Sequence, residues 1–221
     1  MPLKTATVIG ATGLIGGHLV EQLQADETFA NIRVIVRRPV RFSQRKVEVK
    51  LVNFADPESF KLAMEGSDVV FCAVGTTQAK VKGNKEAYRK VDYDIPVNAA
   101  RFCAETRCPQ FLLVSSVGAD SRSNNFYLKL KGEVEDAVQQ QPIKSITIFR
   151  PSLLLGNRQE SRPGEKIAQV VMPVFSFFLI GKLRKYKPVQ ARDVAAAMIN
   201  AAKNAKPGRF ILETPFDEGN P

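Results

Sequence analysis

The stretch VIGATGLIGGHL, residues 8–19, closes a run of small and β-branched residues and opens an amphipathic helix, with Gly10, Gly13 and Gly16 spaced at intervals of three. Each glycine has its own physical task at such a junction. The first permits a sharp turn from strand to helix, the second lets backbone lie against a ligand, and the third lets the helix pack closely on the strand. The helix start then presents backbone N–H groups with no partner inside the helix, a setting suited to an anion. A glycine triplet alone carries little weight, so its meaning depends on what surrounds it.

Short runs rich in Val, Ile, Leu and Phe recur along the chain: TATVIG (5–10), NIRVIVR (31–37), VEVKLVN (47–53), DVVFCAV (68–74), QFLLVSS (110–116), SITIFRP (145–151) and GRFILE (208–213). Between them, apolar residues three and four apart predict helices over Leu14–Gln24, Pro57–Met64, Val91–Glu105, Asn124–Gln140 and Ala191–Asn204. Strands alternating with helices imply a parallel sheet, and strands this continuously apolar need helices on both faces. The expected fold is therefore α/β, a doubly wound parallel sheet of Rossmann type. At 221 residues one hydrophobic core suffices, so residues 1–221 are expected to form a single domain, with a small C-terminal extension from about residue 151 shaping the substrate side. In this setting the glycine loop reads as a dinucleotide-binding turn, with the pyrophosphate on the helix start.

The end of the second strand distinguishes the two nicotinamide cofactors, because an acidic residue there would bond the ribose 2′-hydroxyl and repel a 2′-phosphate. This chain has VIVRRP (34–39), and Arg37 and Arg38 can offer planar donors to a phosphate. NADPH, as NADP(H), is the expected cofactor.

Composition narrows the classes further. The 44% hydrophobic and 24% charged fractions are those of a globular protein with material for a buried sheet. The net charge of +10 is spread along the chain, and no aromatic stacking platform or nucleic-acid motif accompanies it. General surface basicity or a cleft for a phosphate-bearing ligand accounts for it; nucleic acid is not expected. Cys72, Cys103 and Cys108 are an odd count without metal-ligand spacing, so no metal is expected and a reduced cytoplasm is the expected home. The N-terminus lacks the basic, apolar and small-residue succession of a signal peptide. The apolar stretch IAQVVMPVFSFFLIGKLRK (167–185), interrupted by Pro173, is too short for an integral membrane segment, which needs about 20 apolar residues. It reads as a buried or interface helix closing the substrate side, with membrane-surface contact through Phe175, Phe177 and Phe178 as the alternative.

SNNFYLKLKGEVE (123–135) carries the chemistry. Tyr127 and Lys131 stand four apart on an expected helix, so they share a face with Cβ atoms about 5–6 Å apart. An ammonium beside a phenol favours the phenolate, which suits the tyrosine to exchange protons with a carbonyl or alcohol. Eleven and twelve residues upstream, Ser116 and Ser115 end a strand where open parallel sheets bind ligands, and Ser116 can hold the reacting oxygen. His18, after the glycine loop, reads as a half-exposed helix residue, and Asp193 as an acidic group at a helix start.

The combination of glycine loop, strand-end serine and Tyr-x-x-x-Lys resembles the short-chain dehydrogenase/reductase superfamily. FCAVGTT (71–77), YRKVDYD (88–94), SSVGADSRSNNFYLKLKGEVE (115–135) and FRPSLLLGNRQESRPGE (149–165) are similar to its atypical branch, the Tat-interacting-protein-like oxidoreductases. The resemblance implies catalytic roles for Ser116, Tyr127 and Lys131. It implies pyrophosphate contacts by Thr12, Gly13, Leu14 and Ile15, with Gly10 and Gly16 shaping the loop, and 2′-phosphate contacts by Arg37 and Arg38. Val74 and Gly75 would pass beside the ribose, and Leu154 and Arg162 would border the nicotinamide and the substrate mouth. Glu160 and Arg162 form either an ion pair or a ligand contact. A fourth catalytic residue, asparagine in many members, is Asp92 here. The expected activity is NADPH-dependent reduction of a small-molecule carbonyl. An NADPH-sensing binding protein with a protein partner or homodimer is the alternative. A nucleotide-sugar epimerase or dehydratase is a weaker one, because such enzymes use a larger C-terminal substrate domain.

Overall fold

The computed structural model describes residues 3–42, 46–76, 81, 83–156 and 185–216. Its elements run β1 (Lys4–Ile9), α1 (Leu14–Ala25), β2 (Phe29–Val36), β3 (Val47–Leu51), α2 (Pro57–Leu62), β4 (Val69–Cys72), α3 (Lys85–Arg89), a π turn (Lys90–Asp94), α4 (Ile95–Glu105), β5 (Gln110–Val114), α5 (Phe126–Gln139), β6 (Ser145–Arg150), β7 (Leu154–Leu155), β8 (Val189–Gln190), α6 (Ala191–Lys203) and β9 (Gly208–Glu213).

Seven of these strands form one parallel sheet in the order β3-β2-β1-β4-β5-β6-β9. Side chains alternate across it as the two-residue period of a strand requires. Val8, Val34 and Phe71 face a core with Leu19 and Leu23 of α1 and Val194 and Met198 of α6. Ile9, Ile35, Val70 and Cys72 face the opposite core, with Phe60 of α2, Phe102 of α4 and Val134 and Val138 of α5. Burial on both faces explains why the strands read as nearly unbroken apolar runs, and the expected doubly wound α/β fold is what forms. The strand order reverses between β1 and β4, which opens a crevice beyond their C-terminal ends.

Local chemistry sets the helix boundaries. Asp56 caps α2 through its carboxylate, which accepts from the Glu58 and Ser59 N–H groups at 3.2 and 3.4 Å, and Pro57 follows with its fixed φ. Asn125 caps α5 in the same way, accepting from Tyr127 and Leu128 at 3.0 and 3.2 Å.

The helix expected over Val91–Glu105 begins earlier, at Lys85, where Asn84 accepts from the Ala87 N–H at 3.0 Å. Pro96 has no N–H to give the carbonyl one turn before it, and the chain widens into the π turn at Lys90–Asp94. The two-residue strands β7 and β8 pair with each other, a length too short to show any period.

Candidate functional site

The glycine loop lies at the switch in strand order. Gly10 has φ +91°, and a Cβ there would meet the Ala73 carbonyl oxygen at 2.6 Å, so this residue accepts a left-handed turn and a close approach to the segment after β4. Gly16 is tighter: its Cβ would sit 2.1 Å from the Gly10 carbonyl oxygen. Gly13 donates its N–H to that same oxygen at 2.9 Å and is the N-cap of α1, with no side chain capping the helix and no acidic residue in its first turn. Thr12 and Gly13 are exposed, Leu14 is half-buried, and Ile15 and Gly16 are buried, so Ile15 can meet a ligand here only through its backbone. The uncapped N–H groups and the cradle that Cβ atoms would fill suit a pyrophosphate.

Arg37 and Arg38 are exposed just past β2, and neither makes an ion pair with another described residue. Val74 is half-buried and Gly75 exposed on the loop after β4. That loop is anchored at Thr76: its N–H donates to Asp92 Oδ2 at 2.7 Å, and its carbonyl accepts from the Tyr88 hydroxyl at 3.2 Å.

On α5, Lys131 is nearly buried, and its Nζ lies 3.1 Å from Asp92 Oδ1 and 5.9 Å from the Tyr127 ring centroid. Burial opposes the ammonium, but Asp92, then Tyr127 and Tyr88, outweigh it and hold the Lys131 pKa above the ordinary lysine value. Gly132 lets α5 approach the 120–121 turn, where a Cβ would fall 2.1 Å from the Ser121 nitrogen.

The two strand-end serines divide. Ser115 turns inward and donates to buried Glu135, which also receives Arg150 at 2.5 Å; Arg150 reaches Glu213 at 3.5 Å on its other side. Ser116 is half-buried, with its hydroxyl 3.3 Å from the Val117 carbonyl oxygen. Leu154 pairs with Val189, and Gly156 rests against the Leu14 side chain, the nearest carbon lying 3.0 Å from where a Cβ would be.

The fold thus brings Gly10 to Gly16, Val74, Gly75, Ser116, Tyr127 and Lys131 to the C-terminal side of one sheet. Arg162, Glu160 and the apolar stretch up to residue 184 lie outside the described residues. His18 is half-exposed, 3.3 Å from Glu21, and Asp193 is exposed in the first turn of α6, as expected. Reading the sequence missed the carboxylate contacts of Asp92, the Tyr88 hydroxyl and the Glu135–Arg150 pair. Tyr88 and Asp92 in YRKVDYD are one turn apart, a spacing that pairs them only once the helix is known to start at Lys85. Among the described residues, no group of three or more His, Cys, Asp or Glu could hold a metal, and no helix is long and apolar enough to cross a membrane.

Residues 10–205 match the family described as NAD(P)H-binding. Protein HTATIP2 of Rattus norvegicus is 35% identical over 172 residues, 76% of this chain and 70% of that protein. Protein FMP52, mitochondrial, of Candida albicans is 34% identical over 209 residues, covering 92% of this chain and 90% of its own. The Bordetella bronchiseptica enzyme WbmH, solved in complex with NAD+, superposes with a TM-score of 0.71 over 96% of this chain and 76% of its own, at 15% identity, a likeness of fold.

The relatives overturn the expected cytoplasmic location, since the fungal proteins of Candida albicans and Aspergillus niger, at 34% and 32% identity, are named mitochondrial. Cys72, Cys103 and Cys108 are free and buried. Thiols shielded in a core are inert wherever the protein resides, so their count carries no address. With the glycine cradle at the switch point and these matches over most of its length, the chain belongs to the NAD(P)H-binding Rossmann family that includes HTATIP2 and FMP52.

Proposed function

We propose that this protein is an NADPH-dependent oxidoreductase that reduces the carbonyl group of a small molecule. The observation that carries the reading is the pairing of Tyr127 with a charged Lys131 on α5, with an uncapped glycine loop at the same C-terminal side of the sheet and Ser116 following β5 there. When bound, the reduced nicotinamide supplies a hydride. Tyr127 donates its hydroxyl proton to the substrate oxygen, and Ser116 gives that oxygen a hydrogen bond. Lys131 presents a fixed positive charge to the tyrosine and to the ribose side of the cofactor. Arg37 and Arg38, exposed and without a described ion-pair partner, favour the 2′-phosphate of NADPH. In this reading the chain is one domain, and the part from about residue 151, where Leu154 pairs with Val189 and Gly156 lies against Leu14, shapes the substrate side.

Removing the Tyr127 hydroxyl tests the reading. Tyr127→Phe is expected to keep NADPH affinity within about threefold while turnover on a panel of aldehydes and ketones falls by roughly 10²–10⁴, the usual contribution of a general acid. Turnover that survives the substitution contradicts the role given to Tyr127. Tight NADPH binding without turnover on any carbonyl in the wild-type protein contradicts the reductase reading and points to a cofactor-sensing protein.

A further inference from the structure

One carboxylate joins the loop after β4 to the helix that carries Tyr127 and Lys131. Asp92 is 1% exposed, its Oδ2 holding the Thr76 N–H at 2.7 Å and its Oδ1 lying 3.1 Å from the Lys131 ammonium. Tyr88, one turn earlier, takes the carbonyl of the same Thr76 at 3.2 Å. Thr76 is therefore gripped on both its peptide groups from one helical stretch, and the grip on its N–H also grips Lys131. An asparagine could accept from the Thr76 N–H equally well, so anchoring the loop does not require a charge. The charge on Asp92 has its consequence at Lys131.

We infer that Asp92 is a positioning residue that locks Lys131 as an ammonium in register with the 73–76 loop, so that Lys131 serves as a fixed charge and not as a carrier of protons. The inference rests on the reading of this cleft as a nicotinamide-dinucleotide site. The groups facing the ammonium are Asp92 from the π turn, Tyr88 from α3, Tyr127 from its own helix and Cys72 from β4. Burial pushes the Cys72 thiol up to about 12, so it stays neutral there. Asp92 thus supplies the full negative charge among these groups.

The sign follows from burial and pairing. With Asp92 present, the folded-state pKa of Lys131 is raised, so its ammonium persists through neutral pH and is lost only as pH climbs past a value above that of an ordinary lysine, about 10.4. Without Asp92, the largest opposition to burial is gone and the lysine sheds its proton at lower pH. During turnover one proton leaves the Tyr127 hydroxyl for the substrate oxygen and one returns to it from water, while Lys131 keeps its own.

Asp92→Asn removes the charge and keeps an acceptor for Thr76. NADPH affinity, followed by cofactor fluorescence from about pH 6 to about pH 10, should vary by less than about threefold in the wild-type protein. In the variant it should be best at the acid end and decline with pH, approaching about tenfold per unit once Lys131 deprotonates. Parallel curves overturn the inference, because a carboxylate that merely fills space shifts affinity equally at every pH. Absence of NADPH binding by the wild-type protein at every pH overturns instead the cofactor reading on which the inference rests. If the variant does not fold, 15N-lysine spectra of the wild-type protein decide: the Lys131 ammonium should remain protonated to about pH 10, and titration below about pH 9 overturns the inference.

Discussion

Gly16→Ala should destabilise the protein by at least about 3 kcal/mol, lowering Tm by roughly 6–12 °C, and should abolish nucleotide binding. The added methyl would lie 2.1 Å from the Gly10 carbonyl oxygen and 2.7 Å from its carbon, and both are backbone atoms that cannot rotate away. Either α1 lifts from the sheet, pulling Leu19 and Leu23 out of their core, or the loop opens and loses the cradle. The neighbouring residue is the control. Gly17 is also in α1 and exposed, but a Cβ there meets nothing closer than 3.8 Å. Gly17→Ala should therefore be neutral or stabilise by about 0.5–1 kcal/mol through helix propensity. Thermal melts of the two variants check the contrast, and equal Tm values would contradict this account of the loop.

Arg150→Met should cost about 3–5 kcal/mol, because it leaves the carboxylate of Glu135 buried without its cation. Glu135 is 1% exposed and is held by Arg150 at 2.5, 3.0 and 3.2 Å, with the Ser115 hydroxyl as its other partner. Arg150 also touches Glu213 at 3.5 Å, which pairs with Lys185 at 3.1 Å, so β6, α5 and the end of β9 are joined through one guanidinium. The double variant Glu135→Gln with Arg150→Met should recover at least about half of the loss, since no unpaired charge then remains. Denaturant unfolding of the single and double variants measures this. A double variant as unstable as the single one would show that packing of the arginine, and not burial of charge, dominates.

The parts of this protein legible in the sequence are those fixed by period and by backbone sterics. Runs such as VVFC at β4 are apolar throughout because helices cover both faces, and that pattern identified the parallel sheet. The glycines were legible because Gly10 and Gly16 stand where a side chain would strike backbone. Tyr127 and Lys131 were legible because one helical turn brings them together. The contacts that needed the third dimension were not. Asp92 meets Lys131 across 39 positions of sequence, through a π turn that no periodicity announces. Ser115 and Ser116 are chemically identical neighbours, and only the buried Glu135 of α5 separates their fates. The helix start at Lys85 was hidden because α3 spans only five residues, too few to show an amphipathic period.

NADPH dependence can be read from calorimetric titration of the purified protein with NADPH and with NADH, repeated on Arg37→Glu. NADPH should bind more tightly than NADH by about 10- to 150-fold, the worth of one charge-assisted hydrogen-bonding partner at the 2′-phosphate, and Arg37→Glu should erase that preference while leaving NADH binding nearly unchanged. NADH bound as tightly as NADPH by the wild-type protein, or a preference that survives Arg37→Glu, would contradict it.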